Sequence, residues 1–287
     1  MNRVLLDCDN TMGLPGKPVD DGQTLQYLLG RDDIELMGIT TSFGNGTIDE
    51  VHPATEQLLR DLGRPDIPLF KGAGERGQPP TDAARFLAEM AATHPGEITL
   101  LAIGPVGNLR GAAELDPGFY AKIKQIAVMG GYIQPLPIAG WEDVPERNLA
   151  GDPEGAYGMF HAACPVTLMN AHVCLQAPFG LPELAPIEGS DPKAYGILQD
   201  YLLTCVTPHM APRDYLWDLL PAVYVSYPDL FDDNPVGICS TVTDLEAGTL
   251  VVGSKDEGAP VNMPTAIRDV DRFYEILYEA WAKAPLR

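Results

Sequence analysis

A chain of 287 residues, 45% hydrophobic and 21% charged, can bury a substantial core as one large α/β domain or two smaller ones. Its formal net charge of -21, from 40 acidic against 19 basic residues, repels nucleic-acid phosphates and anionic membrane surfaces, so neither is expected as a partner; it leaves carboxylates for a hard cation such as Ca²⁺ or Mg²⁺. The five scattered cysteines, Cys8, Cys164, Cys174, Cys205 and Cys239, form no CxxC pair, and the chain shows neither a secretory h-region nor a bilayer-length apolar run, so the expected compartment is the reducing cytoplasm.

Along the chain, short apolar runs alternate with helix-like segments. "RVLLD" precedes "DDGQTLQYLLG", "IELMGITT" precedes "TIDEVHPATEQLLRDLG", "ITLLAIG" precedes "PVGNLRGAAEL", and "IKQIAVMGG" precedes "DPEGAYGMFHAA" across a loop. This alternation predicts an α/β fold, an open, mostly parallel, Rossmann-like sheet flanked by helices, and with no low-complexity linker a single domain over 1–287. Sites in such sheets form at the carboxyl ends of strands, where Asp7 and Asp9, Thr40 to Asn45, Gly104 to Asn108 and Met129 to Gly131 fall. Tyr132 to Arg147 is long enough to be a substrate loop or flap, and residues 175–192 also read as loop. "DVDRFYEILYEAW" is an amphipathic helix whose aromatics suit core packing.

The run "LLDCDNTMG", residues 5–13, ends a strand in two aspartates and admits two chemistries. "DCDNT" fits the DxDxT of haloacid-dehalogenase-type Mg²⁺ phosphatases, with Asp7 as nucleophile and Asp9 as acid. That reading needs a later lysine, for which Lys255 in "VVGSKDEG" is the candidate, and a strand ending in paired acids, which the sequence does not offer. Alternatively Asp7 and Asp9 join Asp20 and Asp21, which open a helix after a Gly/Pro-rich stretch. Taken singly, Asp20 could be an N-cap and the others solvated strand ends. Four carboxylates on one turn are electrostatically costly without a cation, so a bound divalent ion accounts better for the set.

These residues resemble the DxDxGxDD signature of the inosine-uridine-type nucleoside hydrolases, and the resemblance continues in order through the chain. "FGNGTIDE" is similar to that family's asparagine-bearing loop, "LLAIGPVGNL" to its xGPLTN turn, and "KIKQIAVMGG" to its central strand and glycine pair. "PERNLAGDPEGA" resembles its AEFNxxxDPEAA segment, and "YLWDLLPAVYV" its late helix with a His-Asp or Trp-Asp pair. The resemblance implies Ca²⁺-dependent hydrolysis of the N-glycosidic bond of a ribonucleoside to ribose and free base, by a homodimer or homotetramer. It implies that Asp9, Asp21, Asp218 and the Ile103 carbonyl bind Ca²⁺, that Asp9 is the general base toward water, and that Asp7 supports the metal from behind. It further implies that Asp20, Asn45, Glu146 and Asn148 hold ribose hydroxyls, with Asp218 touching both metal and sugar. Carboxylates around the anomeric carbon would stabilise the oxocarbenium character that builds as the bond breaks.

Three departures stand out. "NTMGLPGKPV" separates Asp9 from Asp20, and it either loops out or approaches substrate through Asn10, Thr11 or Met12. Trp217 stands before Asp218 where many members carry a histidine that protonates the leaving base; a tryptophan there resembles the purine-preferring branch, in which the ring stacks on the base, although a lone Trp also suits core packing. "GAGERGQPPTDAA" has no His or Trp for a base-covering loop, so Trp141 or Tyr132 is expected to substitute. His52, His94 and His161 lie in helical stretches and His172 follows a strand, which leaves His209 as the histidine available as an acid. A nucleoside- or sugar-binding protein of the same fold without turnover is the non-enzymatic alternative.

Overall fold

Strand β1 (Asn2–Cys8) is almost wholly buried because parallel strands covered on both faces can be apolar throughout. In chain order it is followed by β2 (Ile34–Thr41), β3 (Leu69–Lys71), β4 (Ile98–Ala102), β5 (Gln125–Met129) and β6 (Val166–Met169). The later strands are β7 (Pro178–Gly180), β8 (Arg213–Tyr215), β9 (Pro235–Ile238), β10 (Val252–Gly253) and β11 (Ala259–Asn262). The computed structural model describes residues 1–138, 144–205 and 213–287.

Nine strands form one sheet in the order β10-β9-β11-β6-β5-β4-β1-β2-β3. From β11 to β3 every pairing is parallel, and the antiparallel β9 and β10 close one edge. Alternate residues serve opposite cores. Leu6, Cys8, Leu101 and Ala127 pack on one face, Leu5, Leu100, Ala102 and Val128 on the other. The C-terminal helix Val270–Lys283 closes the first core with Phe273 and Trp281, each at most 2% exposed, as its amphipathic pattern predicts.

The helices after β1, β2 and β4 are Asp20–Leu29, Ile48–Asp61 and Gly107–Leu115, where the alternation places them. Glu50 anchors the second by accepting the Thr47 N–H at 2.8 Å. Two expectations change. Residues 175–192 are not all loop, since β7 and the helix Leu181–Leu184 lie within them; β7 pairs with β8, a partner far along the chain. Trp217 and Asp218 precede the helix Leu219–Ser226 rather than riding on it, with Asp218 at the N-cap position.

The chain leaves β1 toward β2 and β3 on one side and returns through β4 to β6 on the other, so the strand order reverses between β1 and β4. A crevice outside the carboxyl ends of the strands is the natural consequence at such a reversal. Asp9 follows β1 and Ile103 follows β4 at that point.

Candidate functional site

The Gly/Pro-rich segment after Asp9 loops out and braces itself. Thr11 Oγ1 donates to the Pro18 carbonyl at 2.9 Å, and Gly13 and Gly16 take positive φ to reverse the chain. Asn10 Oδ1 accepts the Met12 N–H at 3.0 Å, while the Met12 side chain fills the space above Gly22, where a Cβ would meet it at 2.4 Å. Asn10, Thr11 and Met12 are therefore buried structural residues, and the segment meets the cleft through Gly16 and Pro18 instead.

The helix that follows starts at Asp20 with Val19 at its N-cap, so Asp20 and Asp21 are its first two residues, near the positive end of its dipole. Carboxylate oxygens of Asp20, Asp21 and Asp218 lie within 4.8 Å of one another. Asp9 joins through Asp21, whose Oδ1 accepts the Asp9 N–H at 3.0 Å. Asn45, in the loop after β2, ties the set together: its N–H reaches Asp9 Oδ2 at 2.5 Å and its Nδ2 reaches Asp21 Oδ2 at 3.0 Å.

Burial raises the proton affinity of every one of these acids. It pushes the Asp9 carboxyl up to about 7, partly offset by the Asn45 N–H. Asp20, Asp21 and Asp218 are raised well above the usual carboxylate range by burial and by one another. Asp7, fully buried, is likewise pushed up to about 7 although its Oδ1 accepts from Thr40 Oγ1 at 2.6 Å and Asn108 Nδ2 at 2.8 Å. Asp9 Oδ1 is buried with no hydrogen-bond partner. Hard oxygen donors, crowded and with an unsatisfied buried oxygen, fit a divalent cation.

Asp20, Asn45, Ile103, Glu146, Asn148 and Asp218 line a cleft of about 320 Å³. Asp9 and Asp21 stand behind that wall, each 1% exposed. Glu146 is the brace of its turn: Oε1 accepts from the N–H groups of Gly131, Asn148 and Leu149, and Oε2 from Ala150 at 2.7 Å. A carboxylate has about four lone-pair sites, so Oε2 keeps capacity for a hydroxyl. Asn148 commits Nδ2 to the carbonyls of Ile103 (3.1 Å) and Met129 (3.2 Å), and its Oδ1 is what it can offer a sugar.

Tyr132, Val144, Tyr201, Cys205, Asp214 and Trp217 line the same cleft. Trp217 is thus a cleft residue as well as a packing one, half-buried against the core. Asp214 Oδ1 accepts the Trp217 indole N–H at 3.0 Å and the Tyr215 N–H at 2.7 Å, and Asp214 Oδ2 accepts the Tyr201 hydroxyl. Tyr132 lines the cleft, whereas Trp141 and His209 lie outside the described residues. The remaining histidines are structural where their contacts are seen: His52 bonds to Thr41 Oγ1 at 3.1 Å and His161 to the Tyr157 carbonyl at 2.8 Å.

Sequence reasoning passed over Asp214, Tyr201 and Arg147. Arg147 lines the cleft and donates to Asn45 Oδ1 at 2.9 Å, so a cation sits at the rim of an acidic site. The residue between Glu146 and Asn148 was the available signal.

The phosphatase reading fails on topology. Lys255 follows β10 at the sheet edge, six strand spacings from β1, or roughly 29 Å at about 4.8 Å per spacing.

Comparison with known proteins gives the same answer. Uridine nucleosidase 1 of Arabidopsis thaliana is 26% identical over 261 residues, covering 80% of this chain and 75% of that protein. A solved plant nucleoside hydrolase superposes with a TM-score of 0.85 at 22% identity, covering 98% of this chain and 99% of its own. A purine-preferring ribonucleoside hydrolase from Gardnerella vaginalis superposes with a TM-score of 0.83 at 20% identity, covering 98% of each chain. The family model described as inosine-uridine preferring nucleoside hydrolase matches residues 4–275, and the chain belongs to that nucleoside hydrolase family.

Proposed function

We propose that this protein hydrolyses the N-glycosidic bond of ribonucleosides, with Ca²⁺ held at the acid cluster and purine bases preferred. The observation that carries the reading is the cleft itself, whose lining combines crowded carboxylates and amides with the aromatic side chains of Trp217, Tyr132 and Tyr201. A ribose presents several hydroxyls and a base presents a flat π-face, and the two kinds of lining suit them.

Asp9, Asp21, Asp218 and the Ile103 carbonyl would hold the cation, with Asp20 beside them and Asp7 supporting from behind. Bound there, Ca²⁺ would neutralise the carboxylates and acidify water. Asp9 takes the proton of the attacking water, and its buried, unpartnered Oδ1 supplies the acceptor. Asp20, Asn45, Glu146, Asn148 and Asp218 hold the ribose hydroxyls and fix the anomeric carbon in front of that water. Their negative charge stabilises the oxocarbenium character that develops as the base departs. Trp217, its indole pinned by Asp214, stacks on the base.

A reducing-sugar assay over adenosine, guanosine, inosine, uridine and cytidine, with calcium and after chelation, tests the proposal. Calcium-dependent release, faster for purines, is the expected result. Replacement Asp9→Ala should lower kcat by about 10³-fold, within the range for loss of a general base plus a ligand. No sugar from any nucleoside by the calcium-loaded protein would leave a binding protein of this fold.

A further inference from the structure

Departure of a nucleobase leaves an electron pair on a ring nitrogen, and a poor leaving group of this kind needs a proton. Among the described residues no histidine lines the cleft. What its lining does contain is a tyrosine hydroxyl hydrogen-bonded to a half-buried carboxyl, Tyr201 Oη to Asp214 Oδ2. Both side chains line the cleft, and Trp217, held by the same carboxyl, would carry the base alongside them.

Resting on the hydrolase reading above, we propose that Asp214 and Tyr201 form the acid that protonates the leaving base. The hydrogen-bond pattern defines the atoms. Asp214 Oδ1 already accepts two N–H groups, from Tyr215 and Trp217, so a proton on this carboxyl resides on Oδ2 and points at Tyr201 Oη. The hydroxyl of Tyr201 is then turned to the cleft. As the C1′–N bond breaks, its electron pair goes to the base nitrogen, which takes the Tyr201 proton. Tyr201 takes the Asp214 proton in the same step and stays neutral, and Asp214 becomes a carboxylate. On the opposite side hydroxide from water bonds C1′ and the water proton passes to Asp9. Solvent exchange returns one proton to Asp214 and removes one from Asp9, so the cycle is balanced.

The surroundings raise the proton affinity of this carboxyl above that of a free aspartate. Burial raises Asp214, while Tyr201, the Tyr215 N–H, Trp217 and Arg147 pull the other way without overcoming it. Among the described residues, Asp20 and Cys205 also face Tyr201, and both disfavour a tyrosinate.

The test compares a nucleoside, whose base must be protonated, with p-nitrophenyl β-ribofuranoside, whose leaving group departs as a stable anion. The readout is the ratio of kcat/KM for inosine to that for the aryl riboside. Asp214→Asn keeps an acceptor for the indole but carries no transferable proton, and Tyr201→Phe removes a single oxygen. Each should lower the ratio by about 10²-fold, the usual scale of general-acid catalysis. Equal losses on both substrates, or no loss on either, overturn the assignment. Should Asp214→Asn fail to fold, Tyr201→Phe carries the same comparison. A wild type inert toward both substrates instead removes the hydrolase reading, and the acid with it.

Discussion

Chelating the divalent ions should make stability depend on pH in a direction opposite to ordinary acid denaturation. Asp7 and Asp9 are held at about 7 by burial, against an ordinary value of 3.8. The folded protein therefore keeps protons that the unfolded chain has already lost. Their stabilising share is intact below about pH 4 and disappears as the pH rises through about 7. Forcing one such carboxyl to ionise in the fold costs roughly 4 kcal/mol, from about three pH units at about 1.4 kcal/mol each. For a domain of this size that corresponds to a fall of about 8–16 °C in Tm. Calcium at about 1,000 times its Kd returns about 4 kcal/mol, enough to offset the cost of one such carboxyl in the loaded protein. Differential scanning fluorimetry between about pH 5 and pH 8, with chelator or with calcium, separates them. A metal-free Tm that stays flat or rises over that range, with no gap opening between the two curves, would refute the reasoning.

Other perturbations bear on single residues. Gly44 has φ +153°, and a Cβ there would lie 2.0 Å from Asp9 Oδ2; Gly44→Ala should displace that carboxylate and lower kcat about 10²-fold, with far-UV circular dichroism unchanged. Asn108 donates to Asp7 Oδ1 and to the Thr41 carbonyl and accepts the Ala73 N–H at 3.0 Å. Asn108→Leu removes this partner from the Ala73 N–H and the Thr41 carbonyl and leaves Asp7 Oδ1 with Thr40 alone, and should cost about 3 kcal/mol in a urea titration. Trp217→Ala should lower kcat/KM for purine nucleosides by about 5- to 150-fold, the equivalent of 1–3 kcal/mol of stacking, while Trp217→Phe retains most of it. Equal losses for purines and pyrimidines in that pair of variants would detach Trp217 from base choice.

What the sequence made legible was local in the chain. Asp20 and Asp21 open a helix directly after a strand ending in Asp7 and Asp9, so their convergence follows from strand-to-helix geometry alone. The parallel core from β1 to β6 follows from the same alternation. What stayed hidden depends on contacts between distant segments. Asp214 is an ordinary acidic residue until folding sets it under Tyr201 and Trp217. Arg147 looked like a spacer between Glu146 and Asn148 until its guanidinium met Asn45, 102 residues away. The strand β7 has three residues and no period to read, because its partner β8 supplies the order. Trp217 carried two readings in the sequence, core packing and stacking on a base; the fold packs it against the core and also leaves it lining the cleft, a placement that its position before Asp218 did not reveal.

The segment from Asn10 to Pro18 holds its own two ends together, with Thr11 Oγ1 bound to the Pro18 carbonyl and Met12 seated on Gly22. Its length is thereby uncoupled from the placement of the acids on either side. Residues 13–16 form a rim on the carboxylate scaffold, and Lys17 fastens it by donating to the Asn45 carbonyl at 3.2 Å. Lengthening or trimming those four residues then reshapes one wall of the cleft, where Gly16 lies, while the spacing of Asp9 from Asp20 and Asp21 stays under separate constraint.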